Sequence, residues 1–302
     1  MTPRVLILPA DPAQAAALAA ALRERAPELD LVVYQHTLDD AALRDIEVVL
    51  GWRFPTGLAG RLPALRWVCS MAAGVDKLLV ADLAAGVMVS RVVDPEQALG
   101  IAQYVALMAL RHARALPLYE AQQQARSWRR VAMTAAHRHV VVLGWGEIGQ
   151  AVARPLEALG FEVEGWRRSS SAPLPQVLAR GAIVVDALPL TAETAGLLKA
   201  QAFAAMPRGG YLINVARGGH IVEADLIEAV TSGHLAGAAL DVQQREPLPS
   251  DDPLWSVPGI TITPHIAAQS SLATVAEQFV AGLRCLQRGA ALPHQVDRER
   301  GY

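Results

Sequence analysis

Three short segments in the second half of the chain each place a polar side chain just past an apolar run: 213–218 (INVARG), 241–248 (DVQQREPL) and 263–267 (TPHIA). Together they offer one arginine, Arg217, one carboxylate, Glu246, and one histidine, His265. This set suits the reduction of a carbonyl by a hydride donor. Negative charge develops on the carbonyl oxygen as hydride reaches the carbon, and an imidazole titrating near neutrality can donate the proton that cancels it. A carboxylate beside the ring favours the protonated form and fixes its orientation. A guanidinium can grip a substrate carboxylate through two parallel bonds and polarise the adjacent carbonyl. Taken singly, Arg217 reads as a surface or capping arginine, Glu246 as a solvated loop residue and His265 as an ordinary loop histidine. Their joint placement carries the chemical reading. His36, His112, His137, His139, His220, His234 and His294 have no comparable setting and read as structural or solvated. No H-x-x-x-H or C-x-x-C spacing suggests a metal, and no serine nucleophile elbow occurs.

Such a trio needs a hydride donor held nearby, and the stretch 139–159 (HVVVLGWGEIGQAVARPLEAL) supplies a place for one. Its apolar run 140–143 predicts a strand buried on both faces. Gly144, Gly146 and Gly149 follow in G-x-G-x-x-G spacing, and Ile148, Val152, Leu156 and Leu159 then mark one face of a helix that Gly160 stops. In that strand–turn–helix context Gly144 permits the tight turn, Gly146 lets a pyrophosphate approach the backbone, and Gly149 lets helix and strand pack closely. The N–H groups at the helix start, those of Glu147 and Ile148 among them, face the phosphates. Pro155 stands inside this helix, where it removes a hydrogen bond and can bend it.

Cofactor preference follows from charge. NAD sites place an acidic residue about 20 residues beyond the glycines, whereas NADP sites place an arginine there for the 2′-phosphate. The strand 161–166 ends in Arg167, Arg168 and Ser169, with Glu164 left mid-strand and facing away. NADP(H) is therefore expected over NAD(H).

The elements that position these residues alternate as strand and helix. Strands are predicted at 5–8, 31–34, 48–50, 67–70 and 87–90, with a helix at 12–25. A long apolar helix spans 94–114, and a polar segment, 122–138, precedes the central strand. Further strands are predicted at 163–166, 182–187, 211–214, 237–241 and 261–263, and a final helix within 270–289. This βαβ alternation gives an α/β fold of two doubly wound, Rossmann-like domains with an interdomain cleft. At 302 residues and 52% hydrophobic, the chain can build two such cores. A net charge of −2 without a basic run argues against nucleic acid as the main partner. The start of the chain reads as a first strand rather than a signal peptide, and no apolar run is long enough to span a membrane. Cys69 and Cys285 are distant in sequence and read as reduced thiols of a cytoplasmic protein.

With these motifs the sequence resembles the D-isomer-specific 2-hydroxyacid dehydrogenases over essentially its whole length. Within that family it is similar to the glyoxylate/hydroxypyruvate reductases of the bacterial A type, through the run 246–255 (EPLPSDDPLW) and the tail 295–302 (QVDRERGY). The resemblance implies Arg217, Glu246 and His265 as catalytic residues, with His265 the proton donor. It places the loop for the substrate carboxylate on 72–76 (AAGVD), with backbone donors at Ala73, Gly74 and Val75. Ala72 stands where the family usually has glycine. Trp52 is implied to line the substrate pocket. Leu188, Pro189, Thr191 and Ala216 are implied to flank the cofactor, and Asp241 to hold the nicotinamide amide. The implied organisation is a substrate domain of residues 1–95 and 270–302 and a dinucleotide-binding domain of residues 96–269, assembled as a homodimer. The expected reaction is hydride transfer from NADPH to a small 2-oxo acid, glyoxylate or hydroxypyruvate. Two alternatives stay open: a dehydrogenase of the same family for bulkier 2-oxo acids, and a non-catalytic nucleotide-binding sensor.

Overall fold

The structure, a computed structural model, describes residues 3–9, 12–130 and 138–302. In chain order the first elements are β1 (Arg4–Leu8), α1 (Pro12–Arg25), β2 (Asp30–Val33), α2 (Asp40–Leu43), β3 (Ile46–Gly51), β4 (Trp67–Ser70), β5 (Met88–Ser90), α3 (Pro95–Ala113) and α4 (Leu116–Gln124). There follow β6 (His139–Leu143), α5 (Glu147–Ala158), β7 (Glu162–Trp166), α6 (Leu174–Leu178), β8 (Ile183–Asp186), α7 (Ala200–Ala205), β9 (Gly210–Asn214), α8 (Glu223–Thr231), β10 (Leu235–Leu240), β11 (Ile260–Ile262) and α9 (Leu272–Gln287). The chain divides into two compact units, Met1–Gln97 with Gln269–Tyr302, and Ala98–Ala268.

The first unit is built on a parallel sheet in the order β2-β1-β3-β4-β5. Its central strands are apolar at nearly every position because both faces are covered. On one face Leu18 and Leu22 of α1 meet Val275, Phe279 and Leu283 of α9 over Val5, Ile7, Val48 and Leu50. Phe279 stacks on Trp67 with ring centroids 5.0 Å apart, and the Trp67 indole N–H donates to Ser90 Oγ at 2.9 Å. A Cβ at Gly282 would lie 2.6 Å from the Trp67 ring, so the last helix reaches the sheet only with glycine there. Cys69 lies in this core, and burial pushes its thiol up to about 12.

The second unit carries a parallel sheet in the order β11-β10-β9-β8-β6-β7, with apolar clusters on both faces. Pairing is in register through one row of residues near the carboxyl ends: Trp166 beside Leu143, Leu143 beside Asp186, Asp186 beside Asn214, Asn214 beside Leu240, and Leu240 beside Ile262. Every chemically interesting segment of this unit begins one to six residues after that row. The reversal of strand order between β6 and β8 makes this edge the usual place for a ligand in such sheets.

Some expectations need correction. Leu159, expected on the buried face of α5, is 49% exposed, because the hydrogen-bonded helix ends at Ala158 and Leu159 is already its cap. Gly160 follows at φ +86°. The helix runs past Pro155 to Ala158. A separate helix, α4, was not foreseen; Ala115 at φ +53° breaks it from α3, and none of its residues is buried, so no apolar period marks it. Residues 131–137 of the expected polar segment, His137 included, lie outside the described residues.

Truncating Phe279 to alanine removes the stacked partner of Trp67 and opens a cavity between α9 and the sheet. A loss of about 3–5 kcal/mol is expected by denaturant unfolding. A loss below about 1 kcal/mol would show that α9 is not part of this core.

Candidate active site

The glycine turn follows β6 at the register row. Gly144 sits at φ +96°, and a Cβ there would strike the Ala187 carbonyl. A Cβ at Gly149 would strike the Gly144 carbonyl, so helix and turn are in backbone contact. Gly146 has open space around it, and both it and Glu147 are exposed at the start of α5. Ile148 is half-buried behind them. The helix thus presents unhindered N–H groups at its positive end, a fit for a pyrophosphate.

Beside this turn, the end of β7 delivers the cations. Arg167 donates from Nε and Nη2 to the Trp145 carbonyl at 3.1 and 2.6 Å, and its N–H donates to Ser170 Oγ. Arg168 forms an ion pair with Glu193. Arg167, Arg168 and Ser169 are exposed. Glu164 is engaged by Arg180 at 2.6 and 3.0 Å, a hydrogen-bonded pair that holds its carboxyl below the usual range. Two guanidiniums and a hydroxyl next to the glycine turn form a donor set that fits a ribose 2′-phosphate. Leu188 is buried and Pro189 half-buried in the loop after β8, while Ala216 is buried after β9.

The chemical trio comes from the ends of β9, β10 and β11. The turn bearing Arg217 is clamped by the buried Asn214, whose Nδ2 donates to the Arg217 carbonyl and whose Oδ1 accepts the Ala216 N–H, both at 2.9 Å. The Arg217 side chain is half-buried, with Nη1 on the Ala216 carbonyl at 2.7 Å. His265 Nδ1 faces both carboxylate oxygens of Glu246, at 3.1 and 3.2 Å. Nδ1 therefore carries a proton against the carboxylate, which fixes the orientation of the ring. Both side chains keep about a quarter of their surface, 28% and 22%, so a substrate can reach the ring.

His265 is held by an uncommon backbone. Its φ is +54°, a left-handed conformation that costs a non-glycine residue energy and persists because its surroundings impose it. The surroundings centre on Asp241, 1% exposed. One carboxylate oxygen accepts the Ile266 N–H at 2.9 Å and the Thr263 hydroxyl at 2.6 Å, and the other accepts the Ala267 N–H at 2.9 Å. The Asp241 carbonyl accepts the His265 N–H at 2.8 Å. Because Thr263 donates to Asp241, Tyr104 of α3 must donate to Thr263, at 2.8 Å. Burial pushes the Tyr104 hydroxyl up to about 12, so it stays a donor at neutral pH.

Trp52, Ala73, Gly74 and Val75 belong to the first unit. Ser70, fully buried, donates to the Gly74 carbonyl at 2.7 Å and accepts the Ala72 N–H at 3.1 Å, which shapes the loop after β4. Ala72 is buried, so the methyl that replaces the family's glycine is accommodated in the packing. Lys77 Nζ lies 5.4 Å from the Trp52 ring centroid, within reach of a cation–π contact.

One pair escaped the sequence reading. Asp186 ends β8 and His220 ends the 3₁₀ turn Gly218–His220; both are wholly buried, with Nδ1 2.7 Å from the carboxylate. His220 Nε2 faces the Pro189 carbonyl at 3.3 Å. Burial opposes a charge on the ring, but the Asp186 carboxylate and the Pro189 carbonyl outweigh it and raise the histidine above its ordinary value. The signal in sequence was a carboxylate at a strand end and a histidine three residues past Arg217, too common a pattern to stand out alone. Among the described residues no cluster suits a metal ion, and no helix is long and apolar enough to cross a membrane.

Comparison with known proteins finds relatives over the whole chain. Residues 106–267 match the model of the D-isomer specific 2-hydroxyacid dehydrogenase NAD-binding domain. The chain is 35% identical over 301 residues to glyoxylate/hydroxypyruvate reductase A of Serratia proteamaculans, covering 94% of this chain and 95% of that one. Among solved structures, a D-isomer specific 2-hydroxyacid dehydrogenase of Xanthobacter autotrophicus in complex with NADPH superposes with a TM-score of 0.89 at 37% identity, covering 100% of both chains. An NADPH-dependent glyoxylate/hydroxypyruvate reductase of Sinorhizobium meliloti in complex with NADP gives a TM-score of 0.89 at 32% identity, covering 99% of this chain and 100% of that one.

Because folding raises the His220 pKa, the stability this pair contributes is whole below the unfolded histidine value of about 6.5 and fades as pH rises through the folded value. The melting temperature should fall across that interval, and the fall should shrink in His220→Asn. Parallel pH profiles for the two proteins would contradict a raised pKa.

Proposed function

Because the chain belongs to the D-isomer specific 2-hydroxyacid dehydrogenase family, we propose that it is an NADPH-dependent reductase of small 2-oxo acids, glyoxylate and hydroxypyruvate first. The observation that carries the reading is the His265–Glu246 pair, fixed on the same sheet edge as the glycine turn. The relatives named for glyoxylate and hydroxypyruvate support the substrate class, and the relatives bound to NADPH or NADP support the cofactor.

The cofactor, when bound, supplies the hydride. Gly144, Gly146, Gly149 and the N–H groups of Glu147 and Ile148 hold its pyrophosphate, and Arg167, Arg168 and Ser169 its 2′-phosphate. Leu188, Pro189 and Ala216 flank it. Asp241, expected at the nicotinamide amide, is buried with both carboxylate oxygens bonded to the His265 loop, and it serves that loop instead. Arg217 binds the substrate carboxylate and polarises the carbonyl, with the N–H groups of Ala73, Gly74 and Val75 as further anion donors and Trp52 as an apolar wall. His265 gives its Nε2 proton to the oxygen on which charge develops. Glu246 keeps the ring oriented through Nδ1. On this reading residues 98–268 hold the cofactor and the catalytic trio, and the other unit adds further groups for the substrate. A cytoplasmic homodimer fits two further observations. Cys69 and Cys285 are free thiols. Leu99, Leu107, Leu116, Leu118 and Trp128, on or just after α3 and α4, leave large apolar surface for a second copy.

NADPH oxidation by the purified protein with glyoxylate and with hydroxypyruvate tests the assignment. Fast turnover with NADPH is expected, and turnover with NADH alone would discard the 2′-phosphate assignment. Arg167→Ala with Arg168→Ala should weaken NADPH far more than NADH; equal losses would contradict it. His265→Ala should lower kcat by about 10²–10⁴-fold with NADPH binding retained. Unchanged turnover would remove His265 as proton donor.

A further inference from the structure

We infer that Asp186 and His220 form a buried positioning pair that sets Arg217 for the substrate carboxylate, an inference that rests on the function proposed above. Neither residue has exposed surface, so neither can touch a substrate directly. Both ring nitrogens of His220 face groups that only accept: the Asp186 carboxylate and the Pro189 carbonyl. A neutral imidazole has one N–H, so satisfying both partners requires the doubly protonated ring against an ionised Asp186. A buried ion pair is weak evidence for stability, since well-packed apolar residues often do as well. What this one does is tie loops together. Asp186 also accepts the Leu188 N–H at 3.1 Å, and Pro189 also accepts from Thr194 Oγ1 at 2.7 Å. His220 thus anchors the loop after β8 to the turn that starts at Arg217.

That turn is locked on its other side as well. The His220 N–H donates to the Arg217 carbonyl at 3.3 Å, and the neighbouring Gly219 carbonyl accepts the Gly196 N–H at 2.9 Å. A Cβ at Gly218 would run into the backbone of Gln243, three residues before Glu246. The turn is therefore wedged between the segment bearing Glu246 and the loop bearing Leu188 and Pro189, with the His220 ring as its inward peg. If the peg is lost, the backbone of Arg217 gains freedom while the His265–Glu246 pair, held from Asp241, does not.

The test is steady-state kinetics of His220→Ala, Asp186→Asn and His220→Asn beside the wild type, with melting temperatures. His220→Ala and Asp186→Asn should raise the KM for glyoxylate about 10–100-fold, the scale of a misplaced charged hydrogen bond, and the KM for NADPH by clearly less, through the loop of Leu188 and Pro189. His220→Asn keeps an amide N–H near the place of Nδ1 and should recover most of the glyoxylate KM. Asp186→Asn keeps the side-chain shape and gives the same reading if His220→Ala fails to fold. A purely structural pair would lower the melting temperature or the yield of active enzyme and leave the KM for glyoxylate unchanged, and that result would overturn the inference while leaving the proposed function intact. A wild type that reduces neither glyoxylate nor hydroxypyruvate would overturn both.

Discussion

The site depends on the registry of one parallel sheet. Trp166, Leu143, Asp186, Asn214, Leu240 and Ile262 form a single row across the second unit, and each strand stops at it or within one residue of it. Parallel strands have fixed polarity, so all the connections that leave this row leave on the same edge. Arg167, Gly144, Pro189, Arg217, Asp241 and His265 are brought together by that fact before any side chain interacts. A slip of one residue in any strand would turn its inward residues outward and carry one of these groups off the edge. Because both faces of β6, β8 and β9 are apolar, their side chains alone do not fix the register. The polar residues that end β8 and β9 do, Asp186 through Leu188 and His220 and Asn214 through Ala216 and Arg217.

Registry brings the loops to one place but does not orient them, and buried carboxylates and an amide do the rest. Asp241 satisfies two N–H groups and a hydroxyl and so sustains the left-handed backbone of His265. Asn214 closes the turn of Arg217. Asp186 ends its own strand against the buried ring of His220. Buried polar groups are costly unless every one is bonded, and these are bonded to backbone that would otherwise be free to move. Rigid placement of this kind matters for the chemistry, since an error of about 1 Å can cost about 100-fold in rate.

Much of this was legible in the sequence, for identifiable reasons. Short apolar runs gave the strands of both sheets to within one or two residues, most plainly the central strands, which are buried on both faces and leave a contiguous mark. The glycine turn was legible because Gly144 and Gly149 are each required by a backbone contact. Glu246 and His265 could be named because each lies in a polar segment just past an apolar strand and the two segments were read together, and the structure brings them into contact. The helix α4 was illegible because it buries nothing. The misplacement of Leu159 came from extending a helical period past the true end of the helix. His220 was read as structural or solvated; the structure shows it wholly buried, but its charge and its partner depend on a contact 34 residues away in sequence. Spacing along one chain cannot reveal such a pair, whereas the fold makes it unavoidable once β8 and β9 lie side by side.

The central claim is that this chain moves a hydride from the reduced nicotinamide to the carbonyl carbon of a 2-oxo acid. The most direct measurement follows the atom itself: incubate the protein with glyoxylate and NADPH carrying two deuteriums at C4, so that either face delivers the label, and locate it in the product by NMR. Deuterium on C2 of glycolate, one atom per NADPH consumed, is the expected result. Glycolate formed without label, or NADPH consumed without glycolate, would contradict the account.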